Sequence, residues 1–256
     1  MLDTGVGGLT VYDALRRQLP EAPVIFAADF VGMPYGKKTE PQVAARVAGL
    51  LGRMAERFQP RLACIACNTA STIALGMVRD VLEIPVVGTV PAVKPAALQN
   101  TTGTFGLVGT QATIRQRYVD DLERDFAGGK TLLRIAAPDL VDEAEAKLRG
   151  QPVNMAVIEE AVGRLQAMDG GTDIDAVVLA CTHFPLLREE LSALFGNDVA
   201  LIDGADGIAR RIVQLLDGQE FTPTPQNRFV VTGPVERAKG LEAALAERSF
   251  GPPETF

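Results

Sequence analysis

Residues 62–69 read Leu-Ala-Cys-Ile-Ala-Cys-Asn-Thr, and residues 176–183 read Ala-Val-Val-Leu-Ala-Cys-Thr-His. Each is an apolar run of strand length that ends in Ala-Cys and then turns polar. Each leads into a segment of helical period, Ala70 to Val81 in the first case and Phe184 to Phe195 in the second. A strand that delivers a cysteine to a helix start, present twice, implies two pseudo-equivalent halves. In open α/β sheets the ligand sits beyond the carboxyl ends of the strands. Two such halves facing each other would aim Cys67 and Cys181 into one cleft.

The pattern continues outward. Val24 to Ala28, Val86 to Val90, Thr104 to Val108, Leu132 to Ala136 and Val199 to Ile202 read as further buried strands. Pro41 to Phe58, Ala112 to Asp125 and Pro152 to Met168 read as helices, the last with Ile158, Ala161, Val162 and Leu165 on one face and Pro152 at its first position. Strand and helix in alternation predict an α/β fold of two similar domains, each a mainly parallel sheet flanked by helices. The polar stretches Gln99 to Thr104 and Asp203 to Gly207 mark the expected boundaries of a middle domain, 99–205. A Pro- and Thr-rich loop from Gly218 to Asn227, a strand over Phe229 to Thr232 and a closing helix from about Glu236 follow, and could complete either half.

Composition narrows the function. Of 256 residues, 47% are apolar and 22% charged, which fits a folded domain and excludes disordered or fibrous classes. Lys plus Arg is 25 against 32 for Asp plus Glu, so the chain lacks the basic footprint of a nucleic-acid partner. No apolar run reaches the roughly 20 residues that span a bilayer. Met1-Leu2 leads straight to Asp3 without a basic region and apolar stretch, so a cytoplasmic protein without membrane attachment is expected. Three cysteines suit a reducing compartment.

Cys67 and Cys181 are the first candidates for chemistry. A thiol between a strand end and a helix start feels the positive helix terminus, which would lower its pKa from about 8.5. Cys64, Cys67, Cys181 and His183 also compose a Cys3His set. Residues three apart in a strand lie on opposite faces, roughly 10 Å apart, so Cys64 and Cys67 cannot readily share a metal and Cys64 reads as core. His183 is the only histidine, two residues beyond Cys181, and its ordinary pKa near 6.5 suits proton transfer. Asp3-Thr4-Gly5-Val6-Gly7-Gly8 precedes a helical pattern from Leu9 to Gln18 but lacks the dinucleotide spacing. It is either a glycine turn capped by Asp3 or a row of backbone N–H groups that grip a carboxylate or phosphate. Met33-Pro34-Tyr35-Gly36, Gly88-Thr89 and Gly109-Thr110 with Thr113 supply hydroxyls and backbone donors, which suits a small zwitterion; Lys37 and Lys38 read as solvated.

Asp3 to Val11, Pro34-Tyr35-Gly36, Ala66-Cys67-Asn68-Thr69-Ala70-Ser71, Gly109-Thr110-x-x-Thr113-Ile114 and Cys181-Thr182-His183-Phe184-Pro185 resemble the aspartate/glutamate racemase superfamily, on its glutamate branch. The resemblance runs from Asp3 to about Leu216. It implies cofactor-independent interconversion of L- and D-glutamate that supplies peptidoglycan, with the carboxy-terminal segment returning to the first domain, 1–98 plus 206–256. Carried over by motif, Cys67 and Cys181 are the proton-transfer bases, Cys67 for D-glutamate and Cys181 for L-glutamate. Asp3 and His183 are the auxiliary acid/base groups. Thr4, Pro34, Tyr35, Gly36, Asn68, Thr69, Thr110, Thr113 and Thr182 would hold the substrate, with no metal in the site. The resemblance also allows a homodimer. Aspartate or another small acid is the alternative substrate, and a zinc-bound structural or regulatory protein the alternative of another class. Thr4 stands where most members carry Ser, and the hydroxyl survives. Members also have an apolar strand before the first Asp, where this chain has only Met1 and Leu2, so either Asp3 is poorly anchored or the start lies upstream.

Overall fold

In the computed structural model, which describes residues 1–222 and 226–256, each strand pairs in parallel with its sheet neighbours. Part of the loop expected at Gly218 to Asn227, namely Pro223, Thr224 and Pro225, lies outside the described residues. The chain begins with β1 (Leu2–Asp3), α1 (Leu9–Gln18), β2 (Ile25–Ala28), α2 (Glu40–Phe58), β3 (Ala63–Ile65), α3 (Asn68–Val81), β4 (Val86–Gly88) and α4 (Val93–Gln99). It continues through β5 (Thr104–Gly109), α5 (Gln111–Ile114), α6 (Arg117–Phe126), β6 (Thr131–Ala136), α7 (Leu140–Leu148), α8 (Met155–Gln166), β7 (Ala176–Ala180), α9 (Arg188–Phe195) and β8 (Ala200–Ile202). It returns through α10 (Ala205–Leu215), β9 (Arg228–Val231), α11 (Glu242–Glu247) and β10 (Glu254–Thr255).

Two sheets result, ordered β10-β9-β2-β1-β3-β4 and β6-β5-β7-β8. Alternation along the strands divides the first sheet's core in two. Phe26, Ala28, Cys64, Phe229 and Val231 pack towards α1 and α10, whereas Leu2, Ala27, Ile65 and Val230 pack towards α2 and α3. The second sheet buries Val177 and Leu179 against α7, α8 and α9 on one face, and Val178 and Ala180 against α4 and α6 on the other. The carboxy-terminal strands β9 and β10 join the first sheet beside β2.

Several boundaries differ from the sequence reading. Asp3 is well anchored, because Leu2 pairs with both Ala27 and Ile65 and Asp3 is fully buried. The helix expected over Ala112 to Asp125 is broken into α5 and α6, with Gln116 extended between them. Helix α8 starts at Met155 rather than Pro152, because the Asn154 side chain accepts the Ala156 N–H and caps it there. The segment Phe184–Leu187 is a 3-10 turn ahead of α9. The closing helix expected from Glu236 is a 3-10 turn over Val235–Ala238 followed by α11, divided at Gly240, whose φ of +86° is left-handed.

Candidate active site

The carboxyl ends of β1, β3, β5 and β7 converge. They carry Asp3, Cys67, Thr110 and Cys181 within the strand or one or two residues beyond it, and all four are buried. Cys64 sits on the opposite side of β3 among the residues facing α1, so the alternation argument holds and only one thiol of the Cys-x-x-Cys pair faces the site. Burial pushes the Cys64 thiol up to about 12. Among the described residues no three His, Cys, Asp or Glu side chains are placed to share a metal ion.

Cys67 is the residue just before α3, as expected, but the helix terminus does not win. Burial raises its pKa well above the ordinary thiol value, and the Asp3 carboxylate and Cys181 add to the shift against the Ala70 N–H that lowers it. Asp3 is itself raised, by burial first and by Glu145, despite the opposing His183 charge and the N–H groups of Gly8 and Thr4. Cys67 is therefore a protonated thiol at neutral pH, with Asp3 beside it. Cys181 does not precede an α-helix directly, so the helix-start argument fails for it; its neighbour is His183, whose Nδ1 lies 3.9 Å from Sγ.

His183 brings in a residue that the sequence reading missed. Glu145, on α7, places Oε1 3.1 Å from His183 Nε2 and accepts the Val6 N–H at 2.9 Å. Burial disfavours the charged ring, but hydrogen bonds to Cys181 and Glu145 and the Asp3 charge outweigh it, and the His183 pKa stands well above its ordinary value. For Glu145, burial is outweighed by His183, the Val6 N–H and Arg149, and the carboxyl is held below its ordinary value. A proton on Nε2 facing this carboxylate leaves Nδ1 to exchange a proton with Cys181. This is the division of labour of a nucleophile–His–carboxylate triad.

The glycine turn reads differently in three dimensions. Val6 N–H donates to Glu145, Gly7 N lies 3.2 Å from His183 Nε2, and Gly8 N–H donates to Asp3 Oδ2 at 2.8 Å. Two of the N–H groups expected to grip a ligand carboxylate or phosphate, those of Val6 and Gly8, thus engage the protein's own carboxylates, and the glycines permit the approach. A Cβ on Gly7 would stand 2.6 Å from the His183 backbone N. Gly7→Ala is expected to cost about 1–3 kcal/mol by overpacking and to lower turnover; an unchanged urea midpoint would contradict this.

The remaining candidates differ in their contacts. Thr69 Oγ1, on the first sheet's side, lies 3.0 Å from Thr110 Oγ1 and 3.3 Å from Thr113 Oγ1 on the second sheet's side. The break after α5 places Thr113 in this group, and the Thr110 side chain caps α5. Thr4, Asn68 and Thr182 are buried, and the Thr182 carbonyl accepts from Thr10 Oγ1 at 3.1 Å. Tyr35 turns its hydroxyl away into the core, donating to Asp29 at 2.6 Å, so the Pro34–Gly36 segment offers the cleft its backbone. Gly36 faces Thr110. Asp3 Oδ1 and Asn68 Oδ1 are buried acceptors without a hydrogen-bond partner.

Residues 7–212 match the family model of Asp/Glu/hydantoin racemases. The chain is 56% identical to glutamate racemase of Sphingopyxis alaskensis over 99% of its length and 95% of that relative's. It is 40% identical to glutamate racemase of Vibrio cholerae, covering 100% of this chain and 95% of that one. Among solved structures it resembles Escherichia coli glutamate racemase in complex with L-glutamate and the activator UDP-MurNAc-Ala, at 36% identity and a TM-score of 0.93, with 100% and 96% of the two chains covered. With this match along its length, and with two cysteines at equivalent strand ends, the chain belongs to the Asp/Glu/hydantoin racemase family.

Proposed function

We propose that the protein interconverts L- and D-glutamate without a cofactor, by proton transfer at Cα between Cys67 and Cys181. The observation that carries this reading is the convergence of two buried cysteines from different sheets, each with its own acid/base partner, Asp3 for Cys67 and His183 for Cys181. Inverting a stereocentre removes a proton from one face of Cα and returns one to the other. A single side chain cannot occupy both faces. One cysteine must be a thiolate and the other a thiol, and the roles exchange for the reverse reaction. By family likeness Cys181 is the base that serves L-glutamate and Cys67 the base that serves D-glutamate.

The substrate's ammonium group would satisfy the orphan acceptors Asp3 Oδ1 and Asn68 Oδ1. Thr69, Thr110 and Thr113, which hydrogen-bond one another, would turn their hydroxyls to a carboxylate. Together with Thr4, Thr182 and the Pro34–Gly36 backbone they would supply the fixed donors that stabilise the carbanion. The two lobes, residues 1–98 with 206–256 and residues 99–205, would enclose the amino acid, with α4 at their junction lying against the second sheet. The D-glutamate would enter peptidoglycan synthesis in the cytoplasm. Among the described residues no helix is long and apolar enough to cross a membrane.

Chiral chromatography after incubation with L-glutamate alone tests the reading. D-Glutamate should appear, and in heavy water the product should carry deuterium at Cα while recovered substrate stays nearly unlabelled at early conversion. D-Aspartate from L-aspartate without D-glutamate from L-glutamate would reassign the substrate. Early label in the substrate would replace the two-base mechanism with one shared base.

A further inference from the structure

Arg149 lies one residue beyond the end of α7, i+4 from Glu145, and the proton-transfer scheme above does not use it. Its Nη2 donates to Glu145 Oε2 at 3.0 Å, on the side of the carboxylate away from His183. Its Nη1 donates to the Lys239 carbonyl at 2.6 Å and to the Arg237 carbonyl at 3.3 Å, and the guanidinium stands 5.7 Å from the Phe30 ring centroid. Lys239 and Arg237 belong to the returning carboxy-terminal segment, and Phe30 follows β2, so all three lie in the other lobe. The side chain is only 17% exposed. One planar fork thus joins the Glu145 carboxylate to three points across the cleft, a geometry that a lysine ammonium cannot reproduce.

We propose that Arg149 is a positioning residue for the Cys181 half of the reaction, holding Glu145 against His183 and coupling that pair to the carboxy-terminal segment. The proposal rests on the racemase reading above. Without the guanidinium, the buried Glu145 carboxylate loses its fixed cation and one of its three hydrogen-bond partners, so both its charge and its aim weaken. His183 then loses the acceptor that fixes its Nε2 proton, and proton exchange at Nδ1 with Cys181 slows. Cys67 and Asp3 make none of these contacts with Arg149; Asp3 feels the pair only through the charges of His183 and Glu145, so the Cys67 half should respond less.

Two enantiomers have equal free energy in solution, so a loss in kcat/KM must be equal in both directions, and only the step that slows tells the sites apart. Arg149→Met should lower kcat/KM about 10-fold both ways, the size expected for a group that orients an acting side chain. The primary isotope effect with Cα-deuterated glutamate should rise for the enantiomer served by Cys181, which is the one whose effect rises in His183→Asn, and less for the other. Arg149→Lys should show the same asymmetry with a smaller loss. In a Glu145→Gln background, Arg149→Met should add little, because both changes act through one carboxylate. Wild-type turnover of glutamate tests the underlying reading separately. In an active enzyme, isotope effects that stay level or rise equally for both enantiomers, or losses that multiply in the double variant, would overturn the role of Arg149 alone.

Discussion

Replacing either Cys67 or Cys181 by alanine should remove racemisation, a loss on the order of 10⁴-fold or more, while the fold survives. In the proposed mechanism each thiol serves one face of Cα, so the remaining cysteine could take a proton or give one but could not complete the inversion. Both side chains are small and buried, and their loss leaves a void that costs on the order of 1 kcal/mol. Cys64→Ala is the control. Its thiol lies on the far face of β3 and stays protonated because burial holds it near 12. That variant should lose a similar amount of stability and keep its turnover. Parallel circular dichroism melts and chiral assays on the three variants check this. An active Cys181→Ala enzyme, or a folded and inactive Cys64→Ala enzyme, would mean that the wrong pair carries the reaction.

The strands and both cysteines were legible because buried parallel strands are short, apolar and β-branched, and because the cysteine motif repeats. Glu145 was missed for a reason that can be stated. The pattern of residues 140–148 is too short to read as an element, although Leu140 and Ala144 stand four apart and both pack into the core. A glutamate next to them in sequence, on the buried side of that helix, would have stood out as a charge needing a partner. Its partners, His183 and the Val6 N–H, lie 38 and 139 residues away in sequence, a pairing that local pattern cannot foresee. The same limit applies to the glycine turn. Its spacing suggested either a cap or an anion grip; in the fold the anions are Asp3 and Glu145. The Cys67 thiol shows a local rule overruled by its surroundings, because a helix start favours the thiolate but complete burial beside a carboxylate outweighs it.

Glu145→Gln should keep the shape of the site and lower kcat/KM by roughly 10- to 100-fold, as expected for a group that orients an acting side chain. The amide oxygen can still accept from Val6 and from His183, but the charge that stabilises the imidazolium is gone. The pH dependence of stability gives a second check. Glu145 is held below its ordinary value of 4.5, so its contribution is present above that pH and is lost as pH falls through the lowered value. His183 is held above its ordinary value of 6.5, so its contribution is complete below that pH and is lost as pH rises through the raised value. The two windows overlap between 4.5 and 6.5, where a carboxylate faces an imidazolium. The stability advantage of wild type over Glu145→Gln should be greatest there, and should shrink on the alkaline side once the pH passes the raised value of His183 and on the acid side once it falls below the lowered value of Glu145. Urea midpoints for the two proteins, taken in steps from pH 5.5 to the alkaline limit of the fold, follow this difference. A gap of constant size would mean that the loss is one of packing, and that the buried pair does not exist as ions.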